Sequence, residues 1–328
     1  MDIHHVDPDG DLVPRLARLG EEVGAVDSPW AHPLSLPRWR NLLRRGWDGE
    51  APTYWLGLQD GAVVGSAGLW VGHYDNLDAA WLDLCVHPEH RRHGHGTRLL
   101  AHLQAQARAA GRTVVGVDAW EHDAARAFAA RSGYEQRSVG VSRRQHLARL
   151  PEGWEEAVEL ARTTHAAAYE LVRVAGALPE ELLEPVAVLW HGINDAPTDD
   201  LILEDEAFPP ERVRGYEEAQ LAGQRLYHLV ARHRSSGELG GHTIVAVDEG
   251  RPHLADQHDT TVAPTHRGNR LGLVLKGEML RWLRDVEPQV EEISTWNAES
   301  NAHMIAVNEQ LGYEVLGRAL SFQTVLID

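Results

Sequence analysis

A loop between an apolar strand and a helix holds the residues of this sequence with the clearest chemical meaning. The strand pattern ends at Val86 and the helix pattern begins near Gly94. The first amides of a helix have no partner inside the helix, and the macrodipole adds partial positive charge, so such a junction binds anions. Gly94 and Gly96 allow a ligand to approach the backbone, and Arg91 and Arg92 add charge beside it. The loop is therefore predicted to bind a diphosphate.

Two familiar phosphate loops do not match this stretch. The P-loop ends in Gly-Lys-Ser/Thr, but the single lysine, Lys276, lies far away, and the dinucleotide fingerprint needs a third glycine. What remains is Arg91-x-x-Gly-x-Gly96 after a strand, which resembles the acetyl-CoA loop of the GNAT superfamily of acyl-CoA N-acyltransferases.

The elements around the loop follow an α/β order. Apolar periodicity and turn residues predict strands at 2–7, 54–59, 62–71, 79–86, 113–119 and 134–146, and helices at 11–23, 36–47, 96–110 and 123–132. Asp60-Gly61 is a favoured hairpin pair, and Gly133 is a natural helix C-cap. This order is also the order of GNAT proteins.

The second half repeats the plan. Segment 86–91 aligns with 262–267 and Gly96 with Gly272 at an offset of 176 residues, and 132–134 matches 311–313. We therefore predict an α/β (α+β) protein of two tandem GNAT domains, 1–150 and 151–328, each a mixed, mostly antiparallel twisted sheet flanked by helices.

Composition narrows the class of protein. A chain of 328 residues can form two domains with separate cores, and one cysteine excludes an internal disulfide. The sequence shows no signal peptide and no run of about 20 apolar residues. We predict a cytoplasmic protein, a monomer or homodimer, without membrane association.

Charge is uneven along the chain. The net charge is −18, yet residues 1–150 hold 17 Arg against 18 acidic residues, so the second half is strongly acidic. An acidic surface disfavours nucleic acid and favours a cationic partner such as an amine; a solvated face is the alternative.

The resemblance implies an acetyl-CoA site in each half. In the first half, amides at the end of the strand would bind pantetheine, at Leu84, Cys85 and Val86. The loop would bind the diphosphate, through Arg91, Arg92, His93, Gly94, His95, Gly96 and Thr97. His122 and Phe128 would complete the site. The counterparts are Thr261, Val262, Arg267, Gly268, Asn269, Arg270, Gly272 and Asn301. Arg270 replaces Gly94, and this leaves diphosphate binding by the second loop open, although Gly268 restores some freedom.

Acyl transfer also needs a base and an acid. Asp83 and its register-mate Asp259 on the central strands are candidate bases, or alternatively carboxylates that only hydrogen-bond a neighbour. Many GNAT proteins use a tyrosine as the acid, but those positions are Ala129 and Asn308. Asn308 could donate a hydrogen bond; otherwise water or another residue acts, or one half is silent.

Two further clusters could bind ligands. The acidic run Glu204, Asp205 and Glu206, near Asp199 and Asp200, is predicted to bind a cationic acceptor, with a solvated loop as the alternative. The cluster His87, His90, His93 and His95 invites a metal, but Arg91 and Arg92 would repel a cation, so we predict no metal. Cys85 lies in a strand without an evident base, which disfavours an acyl-enzyme.

The sequence therefore predicts an N-acetyltransferase that moves an acetyl group from acetyl-CoA to a primary amine of a small, cationic molecule by direct attack in a ternary complex. The first half would be the main acetyl-CoA module, and the second half would supply the acceptor cleft or a weaker site. A non-catalytic acyl-CoA-binding or interaction protein and a protein lysine or N-terminal acetyltransferase remain alternatives.

Overall fold

The chain forms two compact units. The computed structural model describes residues 1–326. Unit 1 consists of Met1–Gly140, Thr198–Asp205 and the described chain from Leu316, and unit 2 consists of Val141–Pro197 and Glu206–Val315. The units therefore do not follow a single cut at residue 150, because a short middle segment and the C-terminal strand belong to unit 1.

Strands and helices alternate along both halves. In chain order the strands are β1 (Asp2–His5), β2 (Thr53–Gln59), β3 (Ala62–Val71), β4 (Ala79–Val86), β5 (Val114–Trp120), β6 (Glu135–His146), β7 (Tyr169–Ala175), β8 (Gln224–His233), β9 (Leu239–Asp248), β10 (Leu254–Val262), β11 (Glu292–Ala298) and β12 (Tyr313–Val325). The helices are α1 (Val13–Asp27), α2 (Leu36–Arg45), α3 (His95–Ala109), α4 (Asp123–Arg131), α5 (Trp154–Thr164), α6 (Glu180–Trp190), α7 (Pro210–Leu221), α8 (Leu271–Val286) and α9 (Ala302–Gln310). Within residues 1–326 no helix is long and apolar enough to cross a membrane.

Each unit has a mixed sheet with one parallel pair at its centre. In unit 1 the order is β1-β2-β3-β4-β5-β12, and only β4 and β5 run parallel. In unit 2 the order is β6-β11-β10-β9-β8-β7; β10 and β11 run parallel, whereas the pairs from β10 outward to β7 are antiparallel. The prediction of a mixed, mostly antiparallel arrangement of strands in each half is confirmed.

The parallel pairs separate part-way along the strands. Pairing of β4 with β5 ends at Leu82 and Val117, although β4 continues to Val86. Pairing of β10 with β11 ends at Asp256 and Ser294. The far ends of β4 and β10 therefore have one edge without a described strand partner, and unpaired edge amides can bind an extended ligand.

Unit 1 packs helices on both faces of its sheet. Helix α3 buries Leu99, Leu103 and Ala107 against one face, because residues four apart share one side of a helix. Helices α1 and α2 cover the other face through residues such as Leu16 and Trp39. Each buried leucine contributes about 2 kcal/mol by removal from water. In unit 2, α8 covers one face and α6 with α7 covers the other.

The sequence located the elements of the first half closely. The strands predicted at 62–71 and 79–86 are β3 and β4 without change, and the helix predicted at 96–110 is α3, shifted by one residue. The hairpin at Asp60-Gly61 is confirmed, with positive φ at both residues and β2 paired with β3.

Candidate functional site

The loop before α3 has the geometry of an anion site. The chain leaves β4, makes a 3-10 turn at Pro88–His90, and adopts left-handed backbone at Arg92 and Gly94. The first amide to bond within the helix is that of Arg98, which donates to the Gly94 carbonyl at 3.2 Å. The amides of the preceding turn have no helical acceptor and are available to an anion.

The two loop glycines serve different purposes. Gly94 has φ +82°, and a Cβ there would meet open space, so glycine is favoured by the backbone conformation. Gly96 would place a Cβ 3.4 Å from the ring of Phe128, so glycine lets α4 pack closely against α3. Phe128 is therefore a packing partner of the loop.

Arg91 holds the loop in place. Its Nε donates to the Val86 carbonyl at 3.1 Å, and its two terminal nitrogens donate to the Asp27 carboxylate at 2.9 and 2.7 Å. The bidentate pair neutralises much of the positive charge of Arg91, which was expected to attract the diphosphate. We therefore assign Arg91 a positioning role, which ties the loop to the last residue of α1.

The second loop has the same backbone conformation as the first. Arg267 donates to the Val262 carbonyl and to the Asp195 carboxylate, as Arg91 does to Val86 and Asp27. Left-handed backbone recurs at Gly268 (φ +84°) and Arg270 (φ +53°). Arg270 therefore does not alter the turn: the glycine and the arginine have exchanged places between the two left-handed positions.

Helix α8 begins in the same way as α3. Its first helical bond runs from the Val274 amide to the Arg270 carbonyl at 3.1 Å. The Asn269 side chain forms a hydrogen bond within the loop, because its Nδ2 donates to the His266 carbonyl at 3.0 Å. The preceding amides are thus oriented as in unit 1, and Gly272 lies in the first turn.

The strand-end residues divide between the two faces of the sheet. Leu84 and Val86 pack toward the core under α3, whereas Cys85 packs with the core under α1 and α2. Burial raises the pKa of the Cys85 thiol to about 11, and the Ser66 hydroxyl lies 3.1 Å from Sγ. A thiol of this pKa is a poor nucleophile at neutral pH, which agrees with the expectation against an acyl-enzyme. In unit 2, Thr261 is buried and Val262 is partly buried.

Other predicted cofactor residues have structural partners. His122 Nε2 lies 3.1 Å from the Asp27 carbonyl, and Asn301 caps α9 by accepting from the Met304 amide at 3.2 Å. His95 is buried, and burial with the neighbouring histidines lowers its pKa. His93 Nδ1 lies 3.3 Å from the His90 carbonyl, whereas Arg92 and Thr97 have no side-chain hydrogen bond within the described residues.

The loop histidines contact one another. The ring centroids of His87 and His90 are 5.3 Å apart, those of His93 and His95 are 6.2 Å apart, and His87 also lies 3.2 Å from Glu22. Among the described residues no three His, Cys, Asp or Glu side chains are grouped to hold a metal ion.

Asp83 lies on β4, on the face opposite α3. Its Oδ2 accepts a hydrogen bond from the Tyr54 hydroxyl at 2.5 Å, and the Tyr54 ring lies over Gly68, where a Cβ would be 2.5 Å away. Burial raises the pKa of Asp83, while the Tyr54 hydrogen bond opposes this shift. A carboxylate with a raised pKa beside an unpaired strand edge is suited to accept a proton.

Asp259 has a different setting. The register of β10 against β9 shifts between Gln257 and Thr260, so Asp259 lies in a bulge. Burial raises the pKa of Asp259 as well. Within the described chain no hydrogen bond to its carboxylate is found, whereas Asp83 has the Tyr54 hydroxyl.

Similarity to known proteins agrees with this geometry. Residues 25–134 match the model of the Acetyltransferase (GNAT) family. A solved tandem GNAT protein from the clavulanic acid biosynthesis pathway is 27% identical over 100% of this chain and 99% of that chain, with a TM-score of 0.81. Unit 1 therefore contains a GNAT acetyltransferase domain, and the chain is similar over its whole length to a tandem GNAT protein.

A second structure supports the fold alone. The GCN5-related N-acetyltransferase from Sphaerobacter thermophilus is 16% identical, covers 99% of this chain and 95% of that chain, and has a TM-score of 0.66. A search of curated proteins found no match. GNAT acetyltransferases use acetyl-CoA as their co-substrate.

The position of the GNAT tyrosine is closed in unit 2. Asn308 is fully buried; its Oδ1 accepts from Lys276 Nζ at 2.7 Å and its Nδ2 donates to Asn297 Oδ1 at 2.7 Å. Its amide is therefore engaged within the protein, and we no longer assign Asn308 to a leaving thiolate. Ala129, the unit 1 counterpart, has no polar side chain.

The acidic run predicted to bind the acceptor is divided between the two units. Glu204 and Asp205 belong to unit 1, where Glu204 accepts from the Leu77 amide at 3.2 Å. Glu206 belongs to unit 2, where its amide donates to Asn194 at 2.8 Å. The three residues therefore do not all belong to the second half, and their binding of an acceptor stays a prediction.

Sequence reasoning missed the residues that surround Asp83. Tyr54, Trp81 and Asp118 share its sheet face, and Trp81 Nε1 donates to Asp118 Oδ2 at 2.7 Å. Their alternation along β2, β4 and β5 was a visible signal. Their common face needed the cross-strand register, which a single sequence does not show.

Proposed function

We propose that unit 1 binds acetyl-CoA and transfers its acetyl group to a primary amine of a small, cationic molecule in the cytoplasm. One observation carries the proposal: the amides before α3 and the separated ends of β4 and β5 lie on a single loop and strand that also carries Asp83. The loop would hold the diphosphate, and the unpaired edge at Leu84 to Val86 would bind the pantetheine arm.

We propose direct attack in a ternary complex. The amine nitrogen attacks the thioester carbonyl, the carbon–sulfur bond breaks, and CoA leaves as a thiolate. Asp83, directly or through one water, takes the proton that the amine nitrogen loses. The thiolate is protonated by solvent, because Ala129 offers no acid.

Tyr54 supports this role of Asp83. Its hydroxyl donates to Oδ2, and the Leu84 amide also bonds the carboxylate, so lone pairs remain that can accept a proton. The pair is rigid, since the Tyr54 ring is fixed between Gly68 and Trp39, with a ring centroid distance of 5.3 Å to Trp39.

For unit 2 we propose a weaker acetyl-CoA site without turnover. Its loop backbone is retained, which supports binding. Its equivalent of Leu100 is Lys276, whose Nζ donates to Asn308; Asn308 in turn donates to Asn297, on β11 beyond the last residue paired with β10. We propose that this network takes up the space that the thiol end of a bound cofactor would need.

Calorimetric titration of acetyl-CoA tests the donor site. Gly94→Val should abolish binding to unit 1, because a β-branched residue cannot adopt φ +82° and the turn must change. Gly111→Val is the matched control: Gly111 also has positive φ (+75°) and open space around a Cβ, but it follows the other end of α3. Equal loss of binding in both variants would contradict the assignment, as would full binding by Gly94→Val.

A further inference from the structure

Unit 1 has an exposed carboxylate between two indoles on the face that carries Asp83. Cross-strand register places Trp81 opposite Gly116 and Asp118 opposite Ser321. Trp120, two residues beyond Asp118 on β5, points to the same face because side chains alternate along a strand. Asp118 is exposed, whereas Trp81 and Trp120 are half-buried.

Two glycines leave room for indole rings to lie against the backbone of the sheet. A Cβ at Gly116 would lie 2.3 Å from the Trp81 ring, and a Cβ at Gly317 would lie 2.4 Å from the Trp30 ring. Trp30 in turn packs edge-on against Trp120, with centroids 4.3 Å apart. The aromatic side chains therefore keep their positions without a ligand.

Asp118 is held with part of its acceptor capacity unused. Oδ2 accepts from Trp81 Nε1 at 2.7 Å and Oδ1 accepts from the Ser321 hydroxyl at 2.5 Å. A carboxylate oxygen has two lone pairs, so one remains on each oxygen. Two parallel acceptors match the fork of a guanidinium group, which also stacks on aromatic faces.

Unit 2 differs at the corresponding place. Its pair Asp256 and Ser294 matches Trp81 and Gly116 in strand register, so Trp296 is the counterpart of Asp118. Nearer the start of β11, Arg144 Nε lies 3.3 Å from Glu292 Oε2 and 3.4 Å from Ser294 Oγ. In unit 2 a guanidinium of the protein therefore pairs with a strand carboxylate, whereas the position equivalent to Asp118 holds no carboxylate.

We propose that Asp118, with the indoles of Trp81 and Trp120, binds a guanidinium group of the acceptor and so presents its primary amine to Asp83. The proposal rests on the proposed acetyl transfer in unit 1 and names the class of acceptor: an amine that also carries a guanidinium. Segment Thr198–Asp205 bounds this face, since the Ile202 amide donates to Gln323 at 2.7 Å, on the same face of β12 as Ser321.

The acidic run is the competing anchor for the cation. Glu204 already binds the Leu77 amide, and its own amide donates to Asn76 Oδ1 at 2.9 Å. Its role is to fix Thr198–Asp205 against the loop after β3. We therefore place the cation at Asp118 and expect Glu204 to contribute nothing to recognition of charge.

Two matched amines test the proposal. (4-Aminobutyl)guanidine and N-(4-aminobutyl)urea have the same length and shape, but only the first is charged. We measure amine-dependent release of CoA thiol. The wild type should show kcat/KM at least about tenfold higher for the guanidine, as expected for a charge-assisted bidentate pair.

The variants assign that preference to one residue. Asp118→Ser removes the carboxylate and should abolish the preference, because kcat/KM should fall far more for the charged guanidine than for the neutral urea. Asp118→Asn keeps the shape and should act in the same way if Asp118→Ser fails to fold. Glu204→Gln, and Glu21→Gln on the exposed side of α1, should keep the preference.

The outcomes separate the two proposals. Acetylation of both probes at equal rates by the wild type, or a preference that survives both Asp118 variants, would overturn the guanidinium site and leave acetyl transfer standing. Loss of the preference in Glu204→Gln would move the cation to the acidic run and also overturn it. Acetylation of other amines, with neither probe acetylated, would also overturn the guanidinium site. If no amine is acetylated, the proposed function itself is overturned.

Discussion

Each unit has a loop of the same backbone conformation before a helix, α3 or α8, but the side chains around the two loops differ. Both loops have left-handed backbone at the same two positions and an arginine bonded to a strand carbonyl and an aspartate. Around them, Leu100 of unit 1 corresponds to Lys276, and Asp118 corresponds by strand register to Trp296. Backbone conformation has thus been retained while the chemical side chains have changed, which is expected when amides bind a common cofactor and side chains set the reaction.

The units also differ in how polar their interiors are. Unit 2 buries Lys276 over the Tyr313 ring at 4.5 Å, and it buries His228 and His242, whose nitrogens lie 3.1 Å apart. Burial lowers the pKa of both histidines. Unit 1 has no described counterpart of this buried lysine, so unit 2 should be the more sensitive to pH.

The largest expected effect separates the two candidate bases. Asp83→Asn should lower kcat/KM for acetyl transfer by about 10²–10⁴-fold, the usual contribution of a general base. Asp259→Asn should leave it within about twofold. Steady-state assays of CoA release measure both, and equal losses would mean that both units turn over.

The next effect concerns pH and the stability of unit 2. Burial lowers the pKa of Lys276 from 10.5 to about 7. Between these values the unfolded chain binds more protons, so the free energy of unfolding should rise with pH from about 7 to about 10.5. Lys276→Met should flatten that rise, as measured by chemical unfolding at several pH values.

The control for this prediction lies at the same position of unit 1. Leu100→Met should leave the pH dependence unchanged, because Leu100 carries no proton. An unaltered rise in the Lys276→Met variant would show that a group other than Lys276 titrates in this range.

A smaller effect tests the partner of the base. The Tyr54 hydrogen bond lowers the pKa of Asp83, so Tyr54→Phe should raise that pKa. Activity is lost as pH falls through the pKa of a base, and the acidic limb of the kcat/KM profile should therefore move to higher pH. Tyr227→Phe in unit 2 is the matched removal of a hydroxyl that binds a carboxylate, Glu287, and should not move the limb.

The smallest effect concerns the second loop. Arg270→Gly should stabilise unit 2 by about 1 kcal/mol, because glycine adopts φ +53° without the strain of a side chain. The number of acetyl-CoA molecules bound should stay the same, since the turn already has its conformation. A site that forms only in Arg270→Gly would show that the loop of unit 2 is disabled.

The fold was predictable because its signals are local. Glycine spacing, the strand before Arg91 and the leucines of α3 located the loop and the helix, and the repeat located the second copy. The exchange of terminal strands was not predictable: β12 enters unit 1, and the end of β6 enters unit 2, although neither sequence differs from an ordinary strand.

The candidate site was only partly predictable. Asp83 could be named from its place on the central strand, but the bond of Arg91 to Asp27 joins residues 64 positions apart. The site at Asp118 depends on Ser321, which is 203 positions away and reaches it through cross-strand register. Long-range pairing of this kind leaves no pattern in one sequence.

The central claim is that turnover belongs to unit 1, and one pair of variants tests it most directly. Gly94 and Gly268 have nearly equal φ, +82° and +84°, and a Cβ at either would meet open space. Gly94→Val should abolish amine-dependent release of CoA, and Gly268→Val should leave it unchanged, with both proteins folded by thermal melting. Loss of activity in Gly268→Val with full activity in Gly94→Val would contradict the account.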